Sequence, residues 1–186
     1  MTDAGSHVFW ITSRAAGITA LVLSSVAVCA GLALGGRIGW LRGRSAQLKT
    51  VHEALSLATL AALAVHGLAL LGDGYLHPGL LDIAVPFALD YRPVWTALGI
   101  VGGYGVAFLS LSYYARARIG VARWRTLHRF IALFWLLGVV HTLGAGTDAG
   151  RAWFLFVAAV VVLPPVALLA LRFAPAPPPA APARAR

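Results

Sequence analysis

Charge is what this chain has least of. Asp, Glu, Lys and Arg make up 11% of its 186 residues, and only six of these are acids. A soluble domain carries about 25% charged residues, so a water-facing surface along the whole chain is excluded. Cysteine is scarcer still: Cys29 stands alone. It cannot form an internal disulfide, and its place amid apolar residues reads as small packing. Several catalytic signatures are missing. His52-Glu53 opens like H-E-x-x-H, but Ser56 stands where the second histidine belongs, which excludes a zinc protease. No G-x-S-x-G or Walker A sequence occurs. The opening MTDAGSH has no basic n-region, and the apolar run behind it is too long for a signal h-region. The first span is therefore expected to be retained.

What the chain does have is apolar sequence, 60% of it, in runs of about 20 residues that suit membrane crossing. The expectation is an all-α polytopic membrane bundle, one domain over residues 1–173 with five transmembrane helices. Span 1 covers roughly Val8 to Leu34, with Arg14 near its start and the small-residue motif Gly31-x-x-x-Gly35 near its end. A basic loop, Gly35 to Thr50, leads to span 2, Val51 to Leu71. The segment Gly72 to Pro93 holds Asp73, Asp82, Asp90 and Pro86. It is too short in apolar length to cross and reads as an interfacial connection, with a short amphipathic helix. Span 3 runs from Val94 to Ala115, with Trp95, Tyr113 and Tyr114 near its ends. Its Gly102, Gly103 and Gly105 read as packing positions. The basic stretch ARARIGVARWR precedes span 4, Trp124 to Leu143; span 5 runs from Trp153 to Leu171, where Pro164 and Pro165 are expected to kink it. The tail 174–186, APAPPPAAPARAR, is expected to be extended and disordered.

The net charge of +9 invites a nucleic-acid reading, which the placement of the charges argues against. With the N-terminus outside and alternation through five spans, 12 of the 15 basic residues fall on the inner side. Arg14, Arg92 and Arg151 remain on the outer half, while of the acids only Glu53 lies inside. This lopsided split predicts a plasma or inner membrane protein with its N-terminus outside and its C-terminus cytoplasmic.

Spans 2 and 4 each carry two histidines: His52 and His66, 14 residues apart, and His128 and His141, 13 apart. At 1.5 Å per residue each pair spans roughly 20 Å of helix. In the topology set by the loop charges, both spans run from inside to outside. His52 and His128 then share the inner level, and His66 and His141 the outer. Ionisable side chains inside a span are costly and mark function. A neutral imidazole donates a lone pair to a metal, and two fill both axial positions of a haem iron. The expectation is two bis-histidine haems, an inner one on His52/His128 and an outer one on His66/His141, passing electrons across the bilayer. Thirteen residues leave His141 about 140° from His128 on an ideal helix. Span 4 must therefore tighten or bend, with Gly138 the candidate place, or the haems must sit at different azimuths.

These residues resemble the ferric-reductase-like transmembrane domain family, which includes ferric reductases, NADPH oxidases and the haem subunit of methionine-sulfoxide reductase systems. The resemblance rests on WITSRAAG (Trp10 to Gly17), the two histidine pairs, WRTLHRF before the second pair, and DIAVPFALDYRPVWTALG (Asp82 to Gly99). It implies haem b on the four histidines and electron flow from the cytoplasmic to the outer face. It also implies that Arg14 lies near the outer haem, pairing with a propionate or steadying a reduced acceptor; snorkelling to the headgroups is the alternative. No G-x-G-x-x-G follows a strand. A separate donor is expected: a flavoprotein, free reduced flavin or quinol. The acceptor would be ferric iron, oxygen or a partner reductase, so the chain is an oxidoreductase component rather than a self-sufficient enzyme. Two rival readings are a non-haem structural or assembly subunit of a membrane complex and a small histidine-using transporter. His7 and His77 flank the outer face as loop histidines or as part of an outer metal or acceptor site. Glu53 orients a ligand or is a plain interfacial carboxylate.

Overall fold

The computed structural model describes residues 4–37 and 44–173. Arg42 of the basic loop, Asp3 and the tail 174–186 lie outside the described residues. The chain folds as α1 (Ala4–Leu32), a π-type turn (Ala33–Arg37), α2 (Ser45–Leu70), α3 (Leu80–Ala84), α4 (Pro93–Leu111) and a 3-10 turn (Ser112–Ala115). There follow α5 (Arg116–Ile119), α6 (Val121–His128), α7 (Ile131–Ala145) and α8 (Ala152–Phe173). No strand occurs among the described residues. Five helical stretches are long and apolar enough to cross a membrane: His7–Gly35, Ser45–Leu70, Pro93–Ile119, Val121–Ala145 and Ala152–Phe173. The fold is the expected all-α multi-pass bundle.

Three local boundaries differ from the sequence reading. The second helix begins at Ser45 rather than Val51, because Ala46, Gln47, Leu48 and Lys49 are good helix formers that carry the apolar span outward. The basic stretch between spans 3 and 4 is helical rather than a loop, since Arg and Ala favour helix. It is interrupted only at Gly120, whose φ of +90° suits glycine. The last helix continues through Pro164 and Pro165 as far as Phe173.

The bundle is assembled from helix pairs. The first helix packs along α2 and against α8, and α4 packs along α7. A small core joins α1, α7 and α8 through Leu21, Trp135, Val139, Phe154 and Ala158. Trp135 is 3% exposed, and its indole N–H donates to Ser25 Oγ at 3.1 Å, so the one polar atom of a large side chain is satisfied away from water. Between α4 and α7 the close approach depends on glycine. Gly105 lies beneath the Phe134 ring, and a Cβ on Gly102 would stand 3.0 Å from the Phe134 carbonyl oxygen. Gly103, by contrast, has nothing within 4 Å of its Cβ direction. By comparison, α2 and α7 scarcely touch, and this separation matters below.

The connection between spans 2 and 3 holds the expected short helix, α3, with Leu80 and Leu81 both strongly exposed. Asp73 is buried and accepts the backbone N–H groups of Tyr75 and Leu76, which closes the turn after α2. Asp82 accepts the Gly79 N–H and caps α3. The Tyr104 hydroxyl donates to the Ala84 carbonyl, pinning α3 to α4. Pro93 occupies the first turn of α4, and Arg92 reaches the Gly144 carbonyl at the end of α7.

Overpacking separates the glycines that pack from the one that does not. Gly105→Leu is expected to lower unfolding free energy by about 2 kcal/mol, whereas Gly103→Leu leaves it nearly unchanged. Thermal melts of the detergent-solubilised variants against wild type measure the difference.

Candidate functional site

The described histidines of α2, α6 and α7 meet in two pairs. The His52 and His128 rings have centroids 6.2 Å apart with planes at 88°. The His66 and His141 rings have centroids 6.3 Å apart with planes at 70°. The pairing is same-level with same-level, so α2 and the α6–α7 stretch run in the same direction. The gap between these helices is thus crossed at two heights, by an imidazole pair at each.

How a 13-residue interval on one helix matches a 14-residue interval on the other is visible at Arg129 and Phe130, between α6 and α7. The Phe130 N–H bonds the Leu127 carbonyl and the Leu133 N–H bonds the Phe130 carbonyl, both at 3.0 Å. These are three-residue closures, which turn the chain more tightly than an α-helix does. The tightening lies here rather than at Gly138, which sits within regular α7 with nothing near its Cβ direction.

Each imidazole is held in the same way. His52 Nδ1 lies 2.9 Å from the Ala27 carbonyl oxygen, and His66 Nδ1 lies 2.8 Å from that of Ser13. His141 Nδ1 lies 2.9 Å from the Trp95 carbonyl, and His128 Nδ1 lies 3.3 Å from that of Leu109. A carbonyl only accepts, so Nδ1 carries the proton in all four. The lone pair then resides on Nε2, as metal-bound histidines require, with the second nitrogen tied to an oxygen behind it. Ser13 adds a further hold: its Oγ lies 3.1 Å from His66 Nδ1 while donating to the His66 carbonyl at 2.9 Å. At the His52/His128 level Trp124 stacks on His128 at 4.9 Å and 28°, and its indole N–H donates to Ser112 Oγ. None of these carbonyl partners was legible from the sequence, because backbone acceptors leave no residue signature.

The remaining candidates are placed as follows. Arg14 makes a two-pronged ion pair with Asp148, joining α1 to the connection between α7 and α8, and its guanidinium also lies over the Trp10 ring at 4.9 Å. Asp148 is buried, while Arg14 keeps about a third of its side chain exposed. Beside this pair is a cavity of about 420 Å³ lined by Trp10, Arg14, Thr147, Asp148, Arg151 and Trp153. Glu53 accepts from the Tyr114 hydroxyl at 2.9 Å and ties α2 to the 3-10 turn that follows α4. His7 and His77 are both exposed. No three of His, Cys, Asp and Glu gather into a cluster among the described residues. At each level the described donor groups that come together are therefore two imidazoles.

The fold and site define a class: a membrane helix bundle with two stacked imidazole pairs. Compared with protein-family models, curated proteins and solved structures, the chain matches none.

The Arg14–Asp148 pair is expected to matter for stability. Asp148→Ala leaves a half-buried guanidinium without its carboxylate and should cost about 2 kcal/mol, between the values for exposed and fully buried pairs. Thermal unfolding of Asp148→Ala, Arg14→Ala and the double variant reads the coupling directly; the double variant should be little worse than either single one.

Proposed function

We propose that this protein is a membrane cytochrome b of the ferric-reductase-like kind. In this reading it holds two haem b groups, the inner between His52 and His128 and the outer between His66 and His141. It carries electrons from a cytoplasmic-side donor to an outer acceptor. The observation that carries the reading is the double coincidence of separation and tautomer. Two imidazoles bound trans to one metal through nitrogen bonds of about 2 Å, with a ring radius added on each side, have centroids about 6 Å apart. Both pairs stand at that separation. All four rings have Nδ1 engaged behind them, which leaves Nε2 as the ligating atom.

The haem would supply a one-electron couple at each level. The chain's own groups do the rest. The four carbonyls fix ring orientation and tautomer. The sparse contact between α2 and α7 is what a flat group held between them would require. Two imidazoles at each level would leave a bound haem no open position for a small ligand, so these residues would serve electron transfer rather than ligand binding. The cavity beside Arg14, Asp148 and Trp10 is lined by the residue that follows Ser13, the holder of His66, in the chain. The loop charges supply the orientation, with the N-terminus outside and the C-terminus cytoplasmic. The donor is a flavoprotein, reduced flavin or quinol, and the acceptor ferric iron, oxygen or a partner reductase.

Membranes expressing the chain are expected to give a reduced-minus-oxidised b-type spectrum, and the purified protein two haems per chain. His66→Ala or His141→Ala should remove about half of the haem and leave the same remaining signal in both variants. His52→Ala and His128→Ala should remove the other half. A chain that stays spectrally silent after haem supplementation would sink the proposal. Loss of different haems from His52→Ala and His128→Ala would break the pairing.

A further inference from the structure

Three glycines stand in one relation to the histidines. In an α-helix the carbonyl of residue i is already taken by the N–H of residue i+4. A second donor reaching that oxygen from outside must pass over the side chain of residue i+4. The accepting carbonyls for His66, His52 and His141 belong to Ser13, Ala27 and Trp95. Four residues after them come Gly17, Gly31 and Gly99. Each imidazole occupies the space where that glycine has no Cβ. A Cβ on Gly17 would lie 3.0 Å from His66 Nδ1, one on Gly31 would lie 3.1 Å from His52 Cε1, and one on Gly99 would lie 2.5 Å from His141 Nδ1.

The fourth histidine shows why it needs no glycine. His128 approaches the Leu109 carbonyl, and Leu109 lies in the last turn of α4. There the α-helical ladder gives way to the 3-10 turn, and the residue four places on, Tyr113, is already outside α4. On α1 the two glycines are 14 residues apart, the interval of His52 and His66 on the antiparallel partner. The two helices therefore repeat one contact at both levels.

We infer that Gly17, Gly31 and Gly99 are positioning residues for the ligand histidines. Their missing side chains open an already occupied carbonyl to a second hydrogen bond, which sets the Nδ1–H tautomer and aims Nε2 at the opposite ring. Gly31, at the head of a small-residue motif, thus serves an imidazole rather than a neighbouring helix backbone. The inference rests on the reading of these histidines as haem ligands, and it applies to their tautomers even without metal.

The test uses two readouts on the full chain in nanodiscs. In apo protein carrying ¹⁵N-histidine, NMR reports which ring nitrogen is protonated. In haem-loaded protein, redox titration and the low-spin ferric resonance report each level. Gly31→Ala should lose the single tautomer at His52 and shift the inner haem's potential and resonance, leaving the outer unchanged. Gly17→Ala should do the reverse. Gly99→Ala, the tightest site, should act on His141 and the outer level most strongly. Gly103→Ala and Gly138→Ala, where a Cβ meets open space, should leave both levels as in wild type. If Gly31→Ala and Gly17→Ala keep both tautomers and both resonances with two haems loaded, the assignment to glycine fails and the cytochrome reading stands. If wild type takes up no haem but loses its tautomers only in the Gly17, Gly31 and Gly99 variants, the positioning role stands and the cytochrome reading falls.

Discussion

The hydrogen bond from imidazole Nδ1 to a backbone carbonyl on a neighbouring helix is the constraint the rest of the site depends on. An imidazole within a membrane span has two polar nitrogens, and each costs free energy if left without a partner in an apolar medium. The carbonyl satisfies one of them and, because it can only accept, decides which. The other nitrogen keeps its lone pair, and the rings that carry these nitrogens are paired at two heights.

The packing of the bundle serves that geometry. If α2 and α7 interdigitated along their length, the histidines would meet as a plain ring contact with no room for anything between them. Instead each is backed by a different partner: α2 by α1, and the α6–α7 stretch by α4. The carbonyls that hold the rings come from those backing helices, Ser13 and Ala27 on α1 and Trp95 and Leu109 on α4. Each ring is therefore pinned from behind by the helix that backs its own and meets the opposite ring in front. Polar ties at the bundle ends join the two halves, Glu53 with Tyr114 on one side and Arg14 with Asp148 on the other, while Arg92 with the Gly144 carbonyl closes α4 onto α7.

Hydropathy made the five spans legible, and alternation through them made spans 2 and 4 parallel; together these put the histidines at two shared heights without any structure. What lay beyond the sequence was phase. The tightening at Arg129–Phe130 carries no Gly or Pro, the usual punctuation, so attention fell on Gly138, which is an ordinary helical residue. The basic stretch around Arg116 to Arg125 was legible as a charged face and misleading as a loop, because positive charge in a connection says nothing about its backbone. Gly31 and Gly35 read as a helix-packing motif because small residues have several uses. Only the rotation of α1 against α2 shows Gly31 facing His52 and Gly35 facing the Arg172 guanidinium. Asp148 was legible as an outer acid but not as the partner of Arg14, which is 134 residues away along the chain.

The two levels are built alike but are not equivalent, and the differences lie behind the rings rather than between them. At the His66/His141 level His66 is held by both the carbonyl and the hydroxyl of Ser13, and His141 by a bond of 2.9 Å. At the His52/His128 level His128 has the longest of the four bonds, 3.3 Å, and an indole face against its ring instead. A firmer bond to Nδ1–H raises the basicity of the opposite nitrogen, so the hydrogen bonds behind the rings make His66 the strongest lone-pair donor of the four and His128 the weakest.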